Sequence, residues 1–353
     1  MTHSLPAPET VRRILACQLR QIGDVLLATP AIELLARHYP GAELHVFTEK
    51  KCLPVLENNP FISKIISLDK EALRSPLHEY MFYHRTTAGQ YDMLVDFQQL
   101  PRCRAVAALS GAGVRLSFPP PWYLRPLYTH WFKPAPAYAA AYKAAVLTPL
   151  GIVWQGEGPR LYLRDEERAE AGLLLSALGL AGKKFINVAA SHRYAPRRWP
   201  ARHYAALMDM LAEAEPGLYF FLTYGPGEGE YIQKLRTMTR NAERLVTPVD
   251  SPPGLRLIAA CMEQGIMQLG NCSAPRHLAV ALGVPSFTIL GASGPGWTFP
   301  APEHTHISAA EFMPMPCSFC GRNSCDNGLA CLEKLTPDLV FPRVMKHLRL
   351  YAG

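Results

Sequence analysis

Strand-like and helix-like segments alternate along this chain in two successive series. In the first half, short apolar runs predict strands at 13–18, 43–47, 64–68 and 92–97, and helical patterns predict helices at 25–38, 102–109 and 137–147. Parallel strands cannot be joined by a tight turn, so this alternation favours a parallel sheet covered by helices. A proline-rich aromatic segment at 118–134 interrupts the pattern.

The alternation restarts after a predicted linker at 151–159. Strands are predicted at 185–189, 218–223, 245–249, 266–269 and 286–290, with helices at 165–178, 201–214, 228–240, 253–264 and 274–282. The predicted fold class is therefore α/β, with two doubly wound Rossmann-like domains in tandem and a C-terminal helix. We predict domains at 1–158 and 159–335, the second including a cysteine-rich loop at 311–335, and the closing helix at 336–353. A ligand cleft is expected between the domains, at the carboxyl ends of both sheets.

Composition narrows the classes of protein that fit. A length of 353 residues exceeds a single small module, and 49% hydrophobic residues exclude a disordered chain. The net charge of +7 without a long basic run favours an anionic small ligand such as a phosphate and argues against a nucleic-acid partner. With no signal-peptide or membrane-spanning pattern, and with most cysteines scattered singly, we expect a cytoplasmic protein.

The segment 18–30 joins the first predicted strand to the first predicted helix. Gly23 allows the backbone to pass close to a ligand, and Asp24 at the helix start is expected to face the cleft. A carboxylate in this position equally suits a helix cap that interacts with the helix dipole. The residues alone leave both interpretations open.

The sequence RQIGDVLLATPA at 20–31 resembles the opening motif of glycosyltransferase family 9, the heptosyltransferases of lipopolysaccharide core assembly. The resemblance continues at 39–44, 58–60, 91–96, 197–201, 224–228 and 270–278. It implies a glycosyltransferase B-type fold with an N-terminal acceptor side and a C-terminal side that binds an ADP-activated heptose. It also implies that Asp24 is the base that takes the proton from the acceptor hydroxyl, with Arg20 and Gly23 lining the acceptor side or the cleft. One carboxylate suffices for inversion by direct displacement, because a diphosphate leaves as a stable anion.

Three segments are candidates for the donor site. The loop 191–200 carries Arg197, where the family usually has lysine, and Arg198; both suit a diphosphate, and the alternative is a solvated loop. Glu228 or Glu230 is expected to accept hydrogen bonds from ribose hydroxyls, although this glycine-rich segment also suits an ordinary turn. At the turn 270–274, Ser273 and Ala274 start a helix whose free N–H groups suit an anion. His277 is one turn further along, and a core histidine is its alternative interpretation.

The turn at 270–274 also departs from the family pattern. Cys272 stands where relatives commonly have aspartate, Ala274 where they have glycine, and Arg276 where they have methionine. A carboxylate that could bind sugar hydroxyls is therefore missing. The identity of the transferred sugar stays open.

Four cysteines, Cys317, Cys320, Cys325 and Cys331, are separated by two, four and five residues. Four thiolates can enclose zinc or iron, and the first gap is typical of a ligand hairpin. Reduced thiols or a disulfide are the alternatives. No Asp-x-Asp motif occurs in either half, so we expect transfer itself to need no metal or other cofactor.

The resemblance implies an inverting glycosyltransferase that moves a heptose from an ADP-heptose-type donor to a lipopolysaccharide core or other glycan acceptor. The positive charge and the aromatic residues at 122–132 suit peripheral contact with the inner membrane surface, while a loop packed on the first domain is the alternative. The alternatives in function are transfer of another nucleotide sugar, or a non-catalytic nucleotide-sugar-binding or scaffold protein of the same fold.

Overall fold

The computed structural model describes residues 5–73, 75–248 and 253–352. The chain forms two compact units, Met1–Tyr162 and Leu163–Gly353. The domain boundary predicted after residue 158 stays a prediction. No helix in the described parts of the chain combines the length and the apolar character that crossing a bilayer requires.

The first unit is a six-stranded parallel sheet with helices on its faces. Its strands are β1 (Arg13–Cys17), β2 (Glu43–Glu49), β3 (Lys64–Leu68), β4 (Met93–Asp96), β5 (Val114–Ser117) and β6 (His130–Trp131). Its helices are α1 (Ile22–Leu26), α2 (Thr29–His38), α3 (Leu53–Leu56), α4 (Pro76–Thr87), α5 (Pro101–Leu109) and α6 (Ala139–Ala144). The strand order is β3-β2-β1-β4-β5-β6, so the chain reverses direction across the sheet between β1 and β4. At such a switch point the loops after both strands spread apart and leave room for a ligand.

The second unit repeats this architecture. Its strands are β7 (Phe185–Ala189), β8 (Tyr219–Leu222), β9 (Leu245–Val246), β10 (Met267–Asn271), β11 (Ser286–Leu290) and β12 (His304–Ser308). Its helices are α7 (Asp165–Ala177), α8 (Ala201–Ala214), α9 (Gly229–Met238), α10 (Leu255–Glu263), α11 (Ala274–Leu282), α12 (Ala330–Glu333) and α13 (Pro337–Tyr351). All pairs are parallel in the order β12-β11-β10-β7-β8-β9, and the C-terminal helix α13 packs in the core of this unit. The predicted fold class, two Rossmann-like domains with a C-terminal helix, is confirmed.

Several predicted elements differ from the structure. The single helix predicted at 25–38 is wrong: α1 ends at Leu26 and α2 begins at Thr29, because Pro30 lacks the N–H that a continuous helix needs and restricts the residue before it. Helix α4 was not predicted, because its apolar residues lie on both its buried and its exposed face. The strand predicted at 245–249 ends at Val246, and residue 249 lies outside the described residues.

The aromatic segment at 118–134 divides between two environments. Tyr128 is buried in the core of the first unit, and Phe118 stacks on Tyr142 with ring centroids 5.0 Å apart. Trp122 and Tyr123, in the short 3-10 helix Trp122–Leu127, are 79% and 59% exposed. The segment is therefore anchored by Phe118 and Tyr128, and it presents Trp122 and Tyr123 to solvent, with Trp131 exposed to a lesser extent at 40%.

Candidate functional site

Asp24 lies in the first turn of α1, directly after the carboxyl end of β1. The half-buried side chain accepts a hydrogen bond at Oδ2 from the backbone N–H of Gln21, 3.1 Å away, and Gln21 caps the helix in return. Asp24 therefore caps the helix, which is one of the two roles that the sequence allows. A carboxylate has about four lone-pair directions, so a cap on one oxygen leaves it able to accept a proton.

A buried lysine, which was not among the predicted site residues, interacts electrostatically with Asp24. Lys143, in α6, is only 8% exposed, and its Nζ donates a hydrogen bond of 2.8 Å to Oε1 of the buried Gln18 at the end of β1. Burial lowers the pKa of Lys143, and the carboxylates of Asp24 and Asp96 oppose this effect. Asp24 and Lys143 are therefore close enough to interact electrostatically. A lysine inside the apolar pattern at 137–147 was the signal available in the sequence.

Asp96 ends β4, the neighbour of β1, and is fully buried. Its Oδ2 accepts a hydrogen bond of 2.7 Å from the Tyr128 hydroxyl, and its Oδ1 accepts two from the backbone N–H groups of Gln98 and Gln99 at 2.9 and 2.8 Å. Burial raises the pKa of Asp96 although these donors oppose the shift. Asp96 therefore shapes the loop after β4.

Gln98, in that loop, holds the segment before Asp24. Its Oε1 accepts hydrogen bonds from the backbone N–H groups of Leu19, at 3.0 Å, and Arg20, at 3.4 Å, and its Nε2 donates to the Arg20 carbonyl. This two-sided contact fixes the backbone from which the 20–24 turn departs. Nothing in the local sequence pattern predicts it, because the partners are 78 and 79 residues apart.

Arg20 is exposed and lines a cleft of about 430 Å³ in the first unit. Two further cations of the cleft are paired with carboxylates. Lys70 Nζ lies 2.5 Å from Glu49 Oε1, and Arg102 Nε donates to Glu79 Oε1 at 2.5 Å. The hydrogen bond from Arg102 holds the pKa of Glu79 below its usual range. The cleft therefore has a charged lining of three cations and two carboxylates.

In the second unit, the loop after β7 carries Arg197 and Arg198. The Arg197 guanidinium lies over the Tyr194 ring, 5.7 Å from its centroid, and Arg198 lies over Tyr231 at 5.1 Å. Burial first, and then the Arg197 charge, lower the pKa of His192, which favours the neutral imidazole. The fully buried Trp199 anchors the end of the loop. The loop is therefore packed rather than free in solvent.

Glu228 folds back onto the turn after β8. Its Oε2 accepts a hydrogen bond of 2.6 Å from the Ser191 hydroxyl and one of 2.8 Å from the Gly225 N–H. These contacts connect the turn after β8 to the loop after β7 at the same edge of the sheet. The structure thus brings Glu228 and the arginine loop together.

Ser273 is the residue before α11, and Ala274 is its first residue. The hydroxyl of Ser273 makes no capping bond to the helix, so the first N–H groups of α11 are not satisfied by that side chain. Asn271 is the residue that ties this turn to the arginine loop: its Oδ1 accepts from the Trp199 N–H at 2.9 Å and its Nδ2 donates to the Ala190 carbonyl at 2.7 Å. Asn271 belongs to the motif at 270–278, but the sequence pattern alone predicts no role for it.

His277 is buried in α11, and its Nδ1 has no hydrogen-bond partner within the described residues. Burial, with a smaller contribution from Arg276, lowers its pKa to about 3. Arg276 itself is 4% exposed and donates to Cys272 Sγ at 3.2 Å and to the Thr298 hydroxyl at 2.6 Å. The Arg276 side chain is therefore buried within the turn, where it makes a hydrogen bond to the Cys272 thiol.

The four clustered cysteines line one cavity of about 380 Å³. Burial first, and then the charges of the other three thiols, raise the pKa of Cys331. Within the described ranges, no group of three or more His, Cys, Asp or Glu side chains is arranged to hold a metal ion. The four thiols therefore line one cavity but are not arranged as the ligands of a metal ion.

Two parallel sheets of identical strand order, each with polar loops at the carboxyl edge, define a protein built from two Rossmann-like domains. The family model described as glycosyltransferase family 9 (heptosyltransferase) matches residues 81–323. The chain belongs to this family and is a transferase.

Individual relatives are distant. Lipopolysaccharide heptosyltransferase 3 of Escherichia coli is 23% identical over 286 residues, covering 78% of this chain and 82% of that protein. The solved structure of E. coli ADP-heptose LPS heptosyltransferase II is similar with a TM-score of 0.74 at 18% identity, covering 96% and 98% of the two chains. The iron-containing dodecameric glycosyltransferase TibC from enterotoxigenic E. coli has a TM-score of 0.59 at 13% identity, covering 96% and 79%. At these identities the structural likeness establishes the fold.

Proposed function

We propose that this protein is an inverting glycosyltransferase that moves a heptose from an ADP-heptose-type donor to a lipopolysaccharide core acceptor. The observation that carries the proposal is the capped, half-buried Asp24 at the switch point of the first sheet, in a family of heptosyltransferases. In this proposal Asp24 takes the proton of the acceptor hydroxyl while that oxygen attacks the anomeric carbon. The diphosphate leaves from the opposite face.

On the donor side, Arg197 and Arg198 neutralise the leaving diphosphate. The N–H groups at Ser273 and Ala274 give a second anion-binding element, and the neutral His277 lies one turn further along α11. Glu228 is held by Ser191 at the same edge and is the proposed ribose contact. On the acceptor side, Arg20 and Gly23 border the approach to Asp24. The Arg20 guanidinium binds anionic groups of the glycan.

A second candidate donor is another nucleotide-linked sugar, because Cys272 is held by Arg276 and no carboxylate stands at that position. The experiment offers ADP-heptose, other ADP-sugars and UDP-sugars to the purified protein with lipopolysaccharide core acceptors of increasing length. We expect thermal stabilisation by ADP-heptose and a product heavier by one heptose in mass spectra. Product formed only with a different donor would select the second candidate. Stabilisation by donors without any product would favour the non-catalytic binding or scaffold alternative.

We propose peripheral contact with the inner membrane surface through the exposed aromatic residues Trp122 and Tyr123. On the neighbouring α4, Leu77, Tyr80 and Met81 are also exposed, and α4 and the 3-10 helix both contact α5. We expect the Trp122→Ser, Tyr123→Ser double variant to bind anionic phospholipid vesicles at least tenfold more weakly in sedimentation assays. A buried aromatic side chain contributes about 1.5–3 kcal/mol, and tenfold is about 1.4 kcal/mol.

The matched control for this test is Leu173→Ser, which removes an apolar side chain that is 74% exposed in the second unit. It should leave vesicle binding unchanged. Equal binding by the aromatic double variant and the parent protein would contradict the proposed contact.

We propose a structural zinc or iron at Cys317, Cys320, Cys325 and Cys331, with transfer itself needing no metal. All four thiols border one cavity, and a soft metal prefers such ligands. A closed four-thiolate site contributes folding free energy and has no open position for substrate. We expect about one zinc or iron per chain by elemental analysis, with chelation lowering the melting temperature.

The Cys317→Ser variant should lose the metal, whereas Ser324→Ala, which alters the same cavity without removing a thiol, should keep it. Metal-free protein with four titratable thiols and unchanged stability under chelator would contradict the metal site and support the alternative of reduced thiols.

A further inference from the structure

The cysteine-rich loop is joined to the arginine loop by three consecutive hydrogen bonds. Arg197 Nη2 donates to the Gly321 carbonyl at 3.1 Å, the Gly321 N–H donates to the Ala292 carbonyl at 2.8 Å, and the Ala292 N–H donates to the Pro196 carbonyl at 2.8 Å. Pro196 directly precedes Arg197, so these bonds and the chain close a ring. Gly321 follows Cys320, which places one side of the ring in the cysteine-rich loop.

The side of the ring formed by Pro196 and Ala292 is closely packed. A Cβ at Gly291 would lie 2.3 Å from the Pro196 carbonyl oxygen and 2.9 Å from Leu332 Cδ2, so only glycine allows this approach. Pro196 is buried and, with Ala292, lines the cavity that the four thiols border. The backbone before Arg197 therefore has little freedom to move independently of the cysteine-rich loop.

Not every N–H donor of the Arg197 guanidinium has a hydrogen-bond partner in this arrangement. Arg197 Nε is buried and makes no hydrogen bond within the described part of the chain, although a buried donor without a partner is costly. Nη2 is directed to Gly321, and the guanidinium lies over the Tyr194 ring. Because Nε is enclosed, a ligand would meet Nη1 and the second N–H of Nη2, and the bond to Gly321 sets the orientation in which these donors are presented.

We propose that the cysteine-rich loop is a positioning element for the donor diphosphate: the Gly321 carbonyl holds the Arg197 guanidinium in the orientation that binds the terminal phosphate of a nucleoside diphosphate. This inference rests on the proposed role of Arg197 in donor binding. It gives the loop a task in donor recognition whether or not the thiols hold a metal. The effect is specific for diphosphates, since a nucleoside monophosphate lacks the terminal phosphate.

The test exploits two glycines of the same loop. Gly321 has a φ of +68° and Gly328 a φ of +53°, and a Cβ at either position would meet no atom within 4 Å. Alanine at either site therefore strains a left-handed backbone without a clash, but only Gly321→Ala disturbs the carbonyl bonded to Arg197. ADP and AMP affinities are measured by calorimetry for both variants, each in the parent and in the Arg197→Ala background, with melting temperatures recorded.

We expect Gly321→Ala to weaken ADP binding about fivefold to twentyfold and AMP binding less than twofold, and Gly328→Ala to change neither by more than twofold. In the Arg197→Ala background, Gly321→Ala should have no further effect on ADP, because the group that it positions is gone. Equal losses from Gly321→Ala in both backgrounds, or no loss in the parent, would overturn the positioning role. If Arg197→Ala alone leaves ADP affinity unchanged, the donor role of Arg197 is what fails. Should Gly321→Ala not fold, Gly321→Asn, which tolerates a left-handed φ better, is taken through the same cycle, with the same outcomes deciding.

Discussion

Asp24→Asn is expected to lower the rate of glycosyl transfer by about two to four orders of magnitude, the usual contribution of a general base. An amide cannot take the proton of the acceptor hydroxyl, while its oxygen can still accept the hydrogen bond from the Gln21 N–H. Donor affinity and melting temperature should therefore stay close to those of the parent. Single-turnover measurements with saturating donor and acceptor separate the chemical step from binding.

Asp92→Asn is the matched control. Asp92 also binds backbone N–H groups, those of Arg12 at 2.7 Å and Arg13 at 2.9 Å, but it lies at the amino end of the same sheet. This variant should transfer at the parental rate. Turnover of Asp24→Asn within a few fold of the parent would remove Asp24 from the role of base, and a large drop in its melting temperature would make capping its main contribution.

Arg197→Ala is expected to weaken ADP binding by about 1.5–3 kcal/mol, the value of a hydrogen bond to a charged group, which is roughly tenfold to 150-fold in affinity. AMP should lose less, because the guanidinium is proposed to contact the terminal phosphate. Isothermal titration with both nucleotides measures the difference. Arg197→Lys should recover part of the loss, since an ammonium supplies the charge without the fork geometry.

Arg193→Ala serves as the control for Arg197→Ala. Arg193 lies in the same loop, is exposed, and also stands over Tyr194, with its guanidinium 5.3 Å from the ring centroid. Its removal should leave both affinities unchanged. Equal losses of ADP and AMP affinity in Arg197→Ala would place Arg197 away from the terminal phosphate.

The sequence was most informative where local pattern and burial agree. The strands β7 and β11 and the helices α8 and α11 have the predicted bounds, because buried parallel strands are continuous apolar runs and these helices start after clear breaks. The two-domain fold follows from the number and order of such elements. Short or two-sided elements carried too little signal: β6 has two residues, and α4 is apolar on both faces.

The contacts around the candidate site could not be predicted in this way. Lys143 and Gln18 are 125 residues apart, and the Arg197 guanidinium reaches Gly321 across 124 residues. Such pairs are created by the fold and leave no periodic trace in the sequence. The roles of Asp24, Arg197 and the other candidate residues remain predictions, whereas the neighbours that hold them in place became visible only in three dimensions.

Each sheet is built from one continuous stretch of chain, β1–β6 from residues 13–131 and β7–β12 from residues 185–308. No strand pairing recorded for the described residues joins the two stretches. During synthesis, the ribosome therefore releases every strand of the first sheet before the second begins to emerge. The N-terminal half can complete its hydrogen-bonded core while the rest of the polypeptide is still being made, which limits the time that its apolar strands spend exposed to aggregation.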